Sequence, residues 1–156
     1  MTTRTARQTP SDEIDTIAYA VSFLEAAKAV AKSEEDWSDN APLIVPFYAL
    51  IGFSIENGLK AFLEFAKLEP KSSWSHSHNL TLLRNQAAQQ GLDFEPEISD
   101  FVDGLSNPHR EHQFRYPQKA ETQRLELPGS ALELTEKALV EIFLRIDGVN
   151  RVKPLP

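Results

Sequence analysis

Glu56 and Lys60 stand four residues apart inside one of the most apolar stretches of the chain. That spacing puts both on one helix face, in the Glu-before-Lys order that favours an ion pair. Two readings follow: a solvent-side or semi-buried pair, or a carboxylate that hydrogen-bonds across a bundle to His78 or Arg115 and shapes a polar pocket. The second needs such partners, because desolvating an unpaired carboxylate is costly. Four histidines are the next chemical groups. His76 and His78 bracket Ser77, and His109 and His112 form a His-x-x-His pair. Imidazole is a common zinc donor, but no cysteine accompanies these four, so they are expected to be loop and cap residues and no metal site is expected. Between positions 109 and 124, His109, Arg110, His112, Arg115, Lys119 and Arg124 surround Phe114 and Tyr116. Arginine with aromatic side chains suits phosphate contact and base stacking. Glu111, Glu121 and Glu126 dilute the patch, so a mixed-charge solvated loop is the competing reading. The acidic run Asp93, Glu95, Glu97, Asp100 and Asp103 keeps any anion site local.

The elements that must position these groups are helices. Ser11 can cap a first helix, which runs to about Lys32 with Ile14, Ile17, Ala18, Val21, Leu24, Ala27 and Ala31 as its apolar stripe and Phe23 widening it. Pro46 suits the first turn of a second helix. Phe47, Leu50, Ile51, Ile55, Leu59, Phe62, Leu63 and Phe65 cover more than one of its faces before Glu69-Pro70 ends it, which makes it the central, most buried helix. A short third helix begins at His78 or Asn79 and stops at Gly91. A fourth starts near Pro96 with Ile98, Phe101, Val102 and Leu105, and Asn107-Pro108 is expected to break it. Residues 109–128 read as a long exposed segment. Ser130 and Glu133 have capping-box spacing for a fifth helix, whose stripe is Leu134, Ala138, Leu139, Ile142, Phe143 and Ile146 and which ends at Asp147-Gly148. No run alternates with period two for long enough to make a strand. The fold expected is all-α, an up-and-down bundle of about five helices, with a flexible arm over 1–10, one domain over 11–148 and a tail over 149–156.

Composition narrows the function. The 156 residues suit one core, and 41% hydrophobic with 25% charged residues is ordinary globular usage. A net charge of −7 argues against a surface that coats nucleic acid. The lack of cysteine fits a reducing cytoplasm, and no stretch suggests a secretory signal or a membrane span. Gly-rich phosphate loops, Gly-x-Ser-x-Gly, His-Glu-x-x-His and calcium loops are absent, which removes the easily recognised enzyme classes. Ser72, Ser73 and Ser75 beside His76 are ordinary neighbours in a polar loop.

The run from Phe47 to Leu63, with Glu56-Asn57-Gly58-Leu59-Lys60-Ala61 inside it, followed by His76-Ser77-His78-Asn79-Leu80-Thr81-Leu82-Leu83, resembles the HEPN superfamily. There a helix with a Glu-x-x-Leu-Lys-Ala-like sequence precedes a loop and a His-Asp/Asn-Leu-x-x-Leu helix start. Phe114-Arg115-Tyr116-Pro117 is similar to the Arg-Tyr segment found after the fourth helix of many members. The resemblance implies a bundle of four to five helices, often homodimeric, in a superfamily of RNases, toxins and nucleotide-binding partners of nucleotidyltransferases. Its catalytic members place four to six residues between an Arg and a following His. In this chain no arginine has a histidine at that spacing. The expectation is therefore a non-catalytic HEPN-like domain, without cofactor, in a toxin–antitoxin or defence setting. It would bind a nucleotide, RNA or a protein partner through Glu56, Lys60, His78, Asn79, Arg115 and Tyr116. Two alternatives stay open: an RNase toxin with a rearranged site drawn from His109, Arg110, His112 and Arg115, and a purely structural dimerisation module.

Overall fold

A computed structural model describes residues 11–34, 37, 43–66, 77–111 and 126–152. The described chain is all-α. Its five helices are α1 (Ser11–Ser33), α2 (Ile44–Phe65), α3 (Leu80–Gln89), α4 (Pro96–Arg110) and α5 (Pro128–Val152). They pack as a bundle in which α2 touches each of the other four. No described helix is long and apolar enough to cross a membrane.

The central place of α2 follows from its composition. Phe47, Ile51, Ile55, Leu59 and Leu63 are all but sealed from solvent, and Tyr48, Ala61 and Phe62 extend the buried surface around the helix. Pro46 lies in the first turn, and the first ladder bond beyond it, from Phe47 N–H to the Leu43 carbonyl, is made normally. The helix ends at Phe65, with the Ala66 N–H bonded back to Phe62, so it stops before Glu69-Pro70, which lies outside the described residues.

The stripe of α1 sits differently from the expectation. Ala20, Leu24 and Ala27 are buried, whereas Ala18 and Val21 face solvent. The backbone approach explains the shift: Ser54 Oγ on α2 donates to the Ala20 carbonyl at 2.8 Å, which fixes the small residue against the core. The side chain of Ile14 lies outside what is described.

Helix α3 has a side-chain cap at one end and a glycine at the other. Asn79 is its N-cap, accepting from the Leu82 N–H at 3.1 Å. At the far end Gly91 adopts φ +98°, its N–H bonding Ala88 while the Leu92 N–H reaches Ala87. These are the paired bonds of a Schellman motif, and the buried Leu92 and Ala87 supply the accompanying apolar contact.

Three boundaries depart from the sequence reading. Helix α4 passes through Asn107-Pro108 and ends at Arg110. Proline removes the bond to Gly104 and crowds its carbonyl, while burial of Ser106, Pro108 and His109 favours the last turn. Helix α5 begins at Pro128, so Ser130 and Glu133 lie inside it rather than at its cap, and Ala131 N–H bonds Leu127 instead. It also continues through Asp147-Gly148 into the expected tail, as far as Val152. A glycine inside a helix weakens it by about 1 kcal/mol without ending it, and α5 stays helical through Gly148. Within α5, Leu134, Ala138 and Ile142 are buried as expected, but Phe143 is 55% exposed.

Candidate functional site

Glu56 is the charged side chain set deepest in the core of α2. Its side chain is only 7% exposed, and it meets groups from three places in the sequence. Lys60, one turn along α2, donates to Oε1 at 2.7 Å. His78, just before the Asn79 cap, brings Nδ1 to 3.1 Å from Oε2 and 3.2 Å from Oε1. His109, in the last turn of α4, brings Nε2 to 2.5 Å from Oε2. A carboxylate only accepts hydrogen bonds, so both of these ring nitrogens carry their proton toward it.

Local structure puts each imidazole there. Asn79 holds the start of α3 against α4, because Ser106 Oγ donates to its Oδ1 and accepts from the Thr81 N–H. Ser77 Oγ accepts from the Asn79 N–H, so His78 lies between two fixed residues. His109 faces α2 because Gly52 leaves room for it: a Cβ at Gly52 would stand 2.3 Å from His109 Nδ1. Phe53 packs edge-on against the ring at 5.2 Å, and the two imidazoles lie 6.1 Å apart, centroid to centroid.

Burial pushes the Glu56 carboxyl up, but hydrogen bonds from His109, Lys60 and His78 together outweigh it and hold the group down at about 2. The carboxylate is therefore ionised at neutral pH. The cluster grades outward: the His109 side chain is 4% exposed, Lys60 14% and His78 40%. Its solvent edge is the His78 side.

Family models, curated proteins and solved structures give no match to this chain. Function therefore rests on this geometry and on the motifs.

Of the residues singled out in the sequence, Glu56, Lys60 and His78 come together. Asn79 is adjacent, but its oxygen serves the helix cap and Ser106. Arg110 is exposed and pairs with its neighbour Glu111 at 3.0 Å, while His109 beside it points into the core. The rearranged pairing of Arg110 with His112 and Arg115 falls partly outside the described residues, as do Tyr116 and His76. His109, placed by the sequence reading only in the basic segment and the rearranged RNase site, is the partner of Glu56 that was not foreseen. Once α4 is seen to continue past Pro108, its buried positions 98, 101, 102 and 105 extend by helical spacing to 109, and that spacing was the available signal.

A second polar set lies where α3 meets α4. Arg84 grips Asp103 with two N–H groups, each at 2.9 Å, and Thr81 Oγ1 donates to the same carboxylate at 3.0 Å. The Glu56 centre offers different chemistry. It has one ionised carboxylate, one ammonium and two imidazoles, and the potential ligand atoms of Glu56, His78 and His109 all lie within 4.8 Å of one another.

Proposed function

We propose that this chain is a non-catalytic, HEPN-like binding domain that holds a phosphate of a nucleotide or RNA at the His78 edge of the Glu56 centre. The observation that carries the reading is the meeting of Glu56, Lys60 and His78, three of the residues on which the resemblance rests, at one cluster open on one side. An ammonium has three N–H groups and the Glu56 contact uses one, so Lys60 is suited to reach an anion at that edge. The missing Arg-x4–6-His pattern, with Arg110 turned outward to Glu111, favours binding over cleavage.

Fluorescence anisotropy with a labelled oligoribonucleotide and a labelled nucleoside triphosphate tests the proposal. Binding is expected at low ionic strength, where phosphate contacts are strongest. Lys60→Ala should weaken it about tenfold, equivalent to about 1.4 kcal/mol. No retention of either ligand at low salt would leave a structural dimerisation module. RNA cleavage by pure protein that is lost in Arg110→Ala or His112→Ala would replace the proposal with the toxin reading.

A further inference from the structure

We propose that Glu56, His78 and His109 form a binding site for a divalent transition ion of the zinc class. The inference does not depend on the phosphate reading. Two imidazole nitrogens and one carboxylate oxygen are a donor set that zinc accepts in three-ligand sites, with a fourth position left open. The expectation of loop and cap histidines does not describe His109, a buried residue of α4.

The two carboxylate oxygens divide the work. Oε1 takes the Lys60 ammonium at 2.7 Å, and Oε2 is the oxygen nearest both histidines, 3.1 Å from His78 Nδ1 and 2.5 Å from His109 Nε2. Donors about 2.0–2.1 Å from a tetrahedral ion lie roughly 3.3 Å from one another. The His78 distance already suits that shape, and the His109 distance has to open by less than about 1 Å. Ligation through Oε2 leaves Lys60 on Oε1, in the place of the outer partners that orient ligating carboxylates. The His109 ring is held by packing between Phe53 and Gly52, whereas His78 is partly exposed and gives the ion a way in.

Each imidazole would bind through the nitrogen that now faces Glu56. That nitrogen must lose its proton, which shifts to the opposite ring nitrogen if the imidazole is neutral or is released to solvent if it is an imidazolium, so the bound ring carries its one N–H on the opposite nitrogen. The ion thus takes the place of the hydrogen bonds that Glu56 receives from the two rings. One carboxylate beside an ion and an ammonium leaves the open position suited to hydroxide or another anion.

Chelator-treated protein of all 156 residues, titrated with Zn2+, Co2+ and Mg2+, decides the matter. One equivalent of zinc should bind and raise Tm by roughly 5–10 °C at a hundredfold excess over Kd. Cobalt should give the intense visible bands of a tetrahedral complex, and magnesium, which prefers oxygen ligands, should do nothing. His78→Ala, at a half-exposed position that tolerates truncation, should lose the zinc shift and the cobalt bands while keeping its helical circular dichroism. Glu56→Gln should do the same if it folds, and His78→Ala decides alone if it does not. An unmoved Tm with no metal uptake by the native protein overturns the proposal, as does undiminished uptake by His78→Ala.

Discussion

Glu56 and Asp103 each set one carboxylate against basic groups across a helix boundary, and their contact distances overlap: 2.5–3.2 Å around Glu56 and 2.9–3.0 Å around Asp103. They differ in exposure. The Glu56 side chain is 7% exposed and Asp103 39%. Water can replace the partners of Asp103 if they are removed, whereas the Glu56 carboxylate has little solvent to turn to. The same bond lengths therefore carry different energetic weight. The half-exposed set acts as a clasp between α3 and α4, and the buried one is a centre on which α2, α4 and the start of α3 all depend.

The sharpest way to break this comparison is Glu56→Ala. Removing one member of a buried ionic set costs about 3–5 kcal/mol, and the lower end is expected because Lys60 can extend its ammonium toward solvent. Urea unfolding measures the loss, and a change below about 1 kcal/mol, the ordinary range of an exposed pair, would erase the distinction. Acid is the second probe. The Glu56 carboxyl lies at about 2 in the folded protein against an ordinary value of 4.5, so as pH falls the unfolded chain takes up this proton first. The stabilisation is complete above pH 4.5 and is lost between about 4.5 and 2. In chelator-treated protein the urea midpoint should fall across this window, and more steeply in the native chain than in Glu56→Gln. Equal slopes would show that Glu56 is not held down. The smallest effect is expected from Asp103→Ala, about 1 kcal/mol in the same assay, since Arg84 regains water when its partner goes.

The sequence revealed the helices and half of the centre. Apolar spacing located all five, and the Glu56–Lys60 interval placed both residues on one face. The cross-bundle partner His78 was foreseen as one of two alternatives. The place of His109 on α4, facing Glu56, was hidden by Pro108: local backbone preference argues for a break there, and only burial of the surrounding turn, a property of the assembled bundle, overrides it. Ala20 was hidden for another reason. Its methyl gives little hydrophobic signal, and its burial comes from the bond that Ser54 makes to its carbonyl. Phe143 shows the opposite error, since a large apolar side chain at a plausible stripe position stands in solvent. The Glu133 carboxylate, read as a cap, pairs with Lys137 at 3.0 Å within α5.

Because Pro108 cannot donate to the Gly104 carbonyl, the final turn of α4 has one fewer rung of its own ladder. Its anchorage is borrowed from α2 through the His109–Glu56 bond. That turn and the polar centre should then open as one unit, and amide exchange near residue 110 is expected to report the state of a carboxylate more than fifty positions earlier in the chain.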